Sequence, residues 1–208
     1  MSVVKDSACK QCRREKEKLF LKGQRCFSEK CAMEKRPYAP GQKAKRRVVE
    51  TEYCTQLREK QKAKRYYGVL EKQFSNYYKK AVKTRGITGE VLLQLLETRL
   101  DNIVYMLGFA TSRAQARQLI NHGHIQIDGK KVDIGSYSLK EGQEISIAPG
   151  SKEIMPILEA KESGGTISIP QWLESDLENL KGKILRLPER EDIQVPINEQ
   201  IIVELYSK

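Results

Sequence analysis

Four of the five cysteines in this chain stand at Cys9, Cys12, Cys26 and Cys31, a C-x2-C-x13-C-x4-C spacing. Two close pairs separated by a short loop let four thiolates converge tetrahedrally on one Zn²⁺, at about 2.3 Å each. With sulfur in all four positions no place stays open for water or substrate, so the expected ion is structural and not catalytic. An iron-sulfur cluster is the alternative, although the spacing lacks the ferredoxin run. The surrounding segment is polar, with Leu19, Phe20, Leu21 and Phe27 as its main apolar content. Metal binding, worth roughly 10 to 16 kcal/mol in comparable peptides, would have to drive its folding. Cys54 has no neighbouring pair and reads as a small helical residue.

Histidine chemistry is sparsely supplied. His122 and His124 are the two histidines, two positions apart at the expected helix–strand turn. No G-x-x-x-x-G-K-S/T or G-x-G-x-x-G phosphate cradle occurs. Neither an enzyme nor a small-molecule substrate is expected.

Cations are abundant, and unevenly spread. The net charge of +11 resolves into 25 Lys+Arg against 9 Asp+Glu over residues 1–86, and 13 against 18 over residues 87–208. The N-terminal portion therefore reads as a polyanion-binding surface, with nucleic acid favoured over an anionic membrane because no long amphipathic or apolar segment accompanies it. On the cysteine knuckle, Arg13, Arg14 and Lys22 are candidate phosphate contacts, though some of its cations would simply offset the charge of a tetrathiolate. The stretch KRPYAPGQKAKRR at 35–47 is blocked from regular structure by Pro37, Pro40 and Gly41. It is either a flexible linker or an extended basic arm whose Lys43, Lys45, Arg46 and Arg47 would release counterions on entering an RNA groove.

These groups need elements to position them. A helix is expected over 51–67, with Arg58, Lys62 and Arg65 recurring on one side and Gly68 ending it. A second from about Leu70 carries Phe74, Tyr77, Tyr78 and Ala81 at core spacing and stops before Gly86. A third, opening at Thr88, shows a stripe of Leu92, Leu96, Leu100, Ile103 and Leu107. It should end near Gly108, after which Ser112 caps another helix that closes at Gly123. Beyond Gly123 the period changes to two, and Asp128-Gly129 signals a hairpin. In this αα-turn-β unit Arg113, Arg117, His122, His124, Lys130 and Lys131 are expected to gather on one edge suited to folded RNA. The acidic remainder reads as short strands at 144–148, 166–169, 184–187 and 201–205, with Trp172 as a core or interface anchor. No apolar run approaches a spanning helix and no signal-peptide h-region opens the chain, so a reducing cytosol is expected.

The stretch RLDNIVYMLGFATSRAQARQLINHGHIQIDGKKVDIGSY resembles the small RNA-binding module named after ribosomal protein four of the small subunit. Its R-L-D, G-F-A, S-R-x-x-A-R and H-G-H followed by a G-K-K turn match at family spacing. Pseudouridine synthases, tyrosyl-tRNA synthetases and stress proteins carry similar modules, but the flanks are similar to the ribosomal family too. KRPYAPGQ, YCTQLREKQKAKRYYGVLEKQFSNYYKKA, GITGEVLLQLLETRLD, IPQWLESDLENLKGKILRLPEREDI and INEQIIVELYSK extend the likeness over essentially the whole chain, and the cysteines point to a zinc-binding branch. Cys54, Met106 and Gly135 depart from the family pattern, and Met106 removes one phosphate contact.

The expected fold is α+β: a helical N-terminal domain with a zinc knuckle, then an RNA-binding module with a short antiparallel sheet. Expected boundaries are 1–47 for knuckle and arm, 48–98 for the helical domain with residues from about 183 to 208 returning to it, and 99–182 for the module. The resemblance implies a primary rRNA-binding protein of the small ribosomal subunit, in the cytoplasm of a bacterium or in an organelle. It further implies a grip on a helical junction, a role in nucleating assembly, and an influence on decoding accuracy through ribosomal protein five. A free zinc-containing nucleic-acid-binding regulator and an RNA-modifying enzyme are the competing readings.

Overall fold

The computed structural model describes residues 7–41, 51–162 and 169–207. Lys43, Lys45, Arg46 and Arg47, and nearly all of the strand expected at 166–169, lie outside them. The chain forms two compact units, one of Met1–Leu92 with Val195–Lys208 and one of Leu93–Gln194.

In the first unit, α1 (Ala8–Glu15) ends where Lys16 takes a left-handed φ of 58° and its N–H returns to Cys12 O. A 3-10 turn at Gly23–Cys26 and the single-turn α2 (Ala32–Lys35) complete the cysteine segment. Helix α3 (Glu52–Tyr66) is capped by Thr51, whose side chain accepts from the Cys54 N–H. Helix α4 (Glu71–Lys83) buries Phe74 and Ala81. The apolar run expected as a strand at 201–205 is instead helical, within α9 (Glu199–Ser207). Asn198 Oδ1 takes the N–H groups of Gln200 and Ile201, and Tyr206 stacks on Tyr78 at 4.3 Å. Capping and this ring packing override the β propensity of Ile-Ile-Val, because propensity is a weak prior beside packing.

The stripe from Leu92 to Leu107 does not lie on one helix. It divides into α5 (Thr88–Glu97), within which the boundary between the units falls, and α6 (Leu100–Met106). Between them the backbone of residues 98–101 serves as a strand-like partner. Thr98 O accepts from Leu139 N–H, while Leu100 and Asp101 N–H donate to Tyr137 O and Gly135 O. Those bonds replace helical ones, which is why an unbroken apolar period still yields two helices.

Helix α7 (Arg113–Asn121) follows, capped by Ser112, whose Oγ accepts the Gln115 N–H at 3.3 Å. Five strands then build one antiparallel sheet in the order β2-β1-β3-β5-β4: β1 Ile125–Ile127, β2 Lys130–Lys131, β3 Glu144–Ile147, β4 Leu173–Asp176 and β5 Lys181–Ile184. Asp128 and Gly129, both at positive φ, make the β1–β2 turn. Helix α8 (Met155–Glu162), for which the sequence reading has no counterpart, lies between β3 and β4.

Strand β5 sits three residues before the expected 184–187. Gly182 is the reason: a Cβ there would come within 2.5 Å of Leu107 Cδ1, so a glycine must cross that point. Residues Leu185 and Leu187, beyond the strand, are exposed. The core gathers Leu100, Ile103, Val104, Phe109 and Ile120 against Ile125, Ile145, Ile147 and the fully buried Trp172. At the C-terminus only Val195–Lys208 belongs to the first unit, since 181–184 is taken up as β5 in the second.

Candidate nucleic-acid interface

Cys9, Cys12, Cys26 and Cys31 are all free thiols and line one pocket together with Leu21 and Met33. Among the described residues no group of three or more His, Cys, Asp or Glu side chains is arranged as a metal site. The donor set nevertheless suits a soft, thiophilic cation. Burial pushes the Cys12 and Cys26 thiols up, and charge on the other cysteines would push them further, so a set of thiolates here calls for a positive ion. The turn helps, since the Lys22 N–H donates to Cys26 Sγ at 3.3 Å.

Arg13 and Arg14 do not simply face outward. Arg13 Nε donates to Tyr38 O at 2.9 Å with its guanidinium 5.0 Å from that ring, and Arg14 Nη2 reaches Pro40 O at 3.4 Å. Both hold down the proline-rich start of the basic arm. Lys22 keeps an exposed side chain.

The row Arg58, Lys62 and Arg65 meets carboxylates. Glu15 Oε1 accepts from Arg58 at 3.2 Å and from Arg65, while Lys62 pairs with Glu17 at 3.0 Å and Glu59 at 2.7 Å. Lys62 also donates to Pro196 O at 3.0 Å. Burial pushes the Glu15 carboxyl up against the pull of Arg58 and Arg65. These three cations brace the cysteine segment and the C-terminal return against α3, a role helical spacing could not reveal because Glu15 lies 43 residues from Arg58 and 50 from Arg65. Exposed cations among the described residues of this unit include Lys22, Arg25, Lys30, Lys79, Lys80 and Lys83. The last three follow from α4's amphipathic pattern and were missed as candidate contacts.

In the second unit Arg113 departs from the expected edge. It is 8% exposed, donates through Nε to Asn102 Oδ1 at 2.7 Å and lies 4.5 Å from the Tyr105 ring. Asn102 Nδ2 in turn donates to Glu97 O at 3.1 Å and to the Glu97 carboxylate. Arg117, partly exposed, donates to Asp101. One face of a helix can look inward as well as outward, and here α7 turns Arg113 in.

Of the remaining four candidates, His122, His124 and Lys131 come together, while Lys130, the neighbour of Lys131 on a two-residue strand, lies on the other face. His122 is exposed at the end of α7, and His124 Nδ1 meets Ser151 Oγ at 2.9 Å. Their rings lie 6.0 Å apart, on either side of Gly123, which turns the chain at φ 76° after the helical His122. A Cβ on Gly123 would run into the Lys131 side chain, which therefore lies across this turn. Lys130 and Lys131 are both exposed on β2. Two imidazoles and the Lys131 ammonium around a tight turn form a surface that can bind phosphates and bases.

A helical unit with a cysteine knuckle, followed by an αα-turn-β module with a cationic turn, defines an RNA-binding protein. Residues 4–97 match the family described as ribosomal protein S4/S9 N-terminal domain, and residues 98–145 match the S4 domain. The chain is similar to small ribosomal subunit protein uS4 of Natranaerobius thermophilus, 53% identical over all of both chains. It is also similar to the uS4 proteins of Ruminiclostridium cellulolyticum, 55% identical over all of both, and Dictyoglomus turgidum, 58% identical over 96% of each. The chain belongs to the uS4 family, structural proteins of the small ribosomal subunit and not enzymes. No helix among the described residues is long and apolar enough to cross a membrane.

Proposed function

We propose that this protein is a primary binder of small-subunit rRNA in the bacterial ribosome. It grips a helical junction of that RNA largely through phosphates, nucleates assembly and contributes to translational accuracy. The observation that carries the reading is the pairing of exposed cations in the first unit with the His122, His124 and Lys131 edge of the second, in a chain matched end to end by uS4 relatives. Two footprints on one RNA would restrict the angles at a junction, and phosphate contacts give register without base specificity. Lys43, Lys45, Arg46 and Arg47 would add counterion release.

One zinc held by Cys9, Cys12, Cys26 and Cys31 is part of the proposal, supported by four free thiols around one pocket. Bound there, it would hold the knuckle closed and neutralise thiolate charge. Contact with protein five belongs to the C-terminal stretch by family resemblance, and the exposed Leu185 and Leu187 offer apolar surface for a protein partner.

Filter binding to naked small-subunit rRNA, with chemical footprinting, tests the reading. Tight binding that weakens steeply with salt, together with protection clustered at one junction, is expected. Affinity no better than for unrelated RNA, or failure to stay with the subunit on high-salt gradients, would overturn it.

A further inference from the structure

Phe27 stands out among the apolar residues of the knuckle. Leu19 is fully buried and Phe20 and Leu21 are half-buried, but Phe27 is 54% exposed. It is also firmly mounted. Its N–H donates to Gln24 O at 3.0 Å, closing the 3-10 turn, and its ring stacks on Phe20 with centroids 5.0 Å apart and planes 28° from parallel. Ser28 Oγ donates to Arg25 O at 3.1 Å and accepts the Lys30 N–H at 3.3 Å, locking the residues just after it. Phe20 itself has φ 50°, a left-handed conformation that is uncommon for an aromatic residue and persists only where the surroundings impose it.

Holding a bulky ring in that conformation, only to leave its stacking partner in solvent, makes little sense for core formation. The flanking charges suggest a use. Lys22, Arg25 and Lys30 are exposed within five residues of Phe27, and Glu29 is the exposed acid among them. An aromatic face amid cations suits single-stranded nucleotides, since every base has a π face and every nucleotide a phosphate.

We infer that Phe27, seated on Phe20, is a stacking platform for an unpaired base of the bound RNA, whose neighbouring phosphates meet Lys22, Arg25 and Lys30. The inference rests on the rRNA reading above and adds to it a contact that is not electrostatic.

The test uses the full chain carrying its metal, naked small-subunit rRNA, and the variants F27L and F27W. F27L keeps apolar volume over Phe20 but removes the π face. It should weaken binding by roughly 5- to 150-fold while leaving the salt slope of log K unchanged. F27W should retain affinity, and its emission should be quenched by rRNA, a clean signal because Trp172, the one native tryptophan, is fully buried. Equal binding by F27L and wild type, with unquenched F27W emission, overturns the platform alone. So does an F27L defect seen only in assembled particles, which would point to a protein partner. Salt-insensitive, unselective binding by the wild type would instead sink the broader rRNA reading.

Discussion

Arg117 donates through Nε to Oδ2 of Asp101 at 2.9 Å, across sixteen residues of chain. The same carboxylate accepts from Arg99 Nε at 3.0 Å and Nη2 at 2.7 Å, so one nearly inaccessible acid holds two arginines. Arg99 is the more deeply buried of the two and would lose both of these hydrogen bonds without it. Asp101→Ala is expected to destabilise the second unit by about 3 to 5 kcal/mol, the cost of removing one partner from a buried ion pair. Urea unfolding checks this; a loss under about 1 kcal/mol would show that the node is not structural.

Arg113 and Lys131 should separate cleanly under substitution. Lys131→Ala removes an exposed cation and is expected to lower the salt slope of log K for rRNA by roughly one, with stability little changed. Arg113→Ala removes a buried side chain whose guanidinium satisfies Asn102, so it should lower the unfolding midpoint. Salt titration and denaturation of both variants would expose the reverse assignment.

Metal removal provides a third check. Purified protein is expected to carry one zinc per chain, and a chelator, or Cys12→Ser, should release it with loss of N-terminal helicity and RNA affinity. Elemental analysis with circular dichroism reads the result. A metal-free chain with full affinity would contradict the zinc proposal.

Glu71 sets an acid limb. Burial raises its carboxyl, but hydrogen bonds from Lys60 and Lys64 outweigh this and hold it below the usual glutamate value. The folded chain therefore binds this proton less readily than the unfolded one. Its contribution is complete above the ordinary value of about 4.3 and fades as pH falls through and below it. Thermal unfolding should become less stable on acidification there, and Glu71→Gln should make that loss shallower. Because Glu71 is 47% exposed, the effect will be small and reduced by salt.

Much of the module could be read from local signals. Ser112 capping α7, Gly123 ending it, the Asp128-Gly129 turn and the alternation of Ile125 and Ile127 each depend on residues within one or two turns of chain, and all appear as expected. Thr51 and the helices around Arg58 and Phe74 belong to the same group. Trp172 as a core anchor followed from its size and apolar surroundings.

The sequence by itself determined helices α3, α4 and α7, the hairpin, the excess of N-terminal charge and the cysteine spacing, because each is encoded in types and intervals along the chain. Tertiary structure alone decided which cations remain available. Glu15 takes Arg58 and Arg65, Asp101 takes Arg117, and Asn102 takes Arg113, since a charge leaving water must find a partner wherever folding brings one. It likewise made a helix of Ile201–Leu205 and split the leucine stripe at Arg99, because long-range hydrogen bonds and packing outweigh local preference.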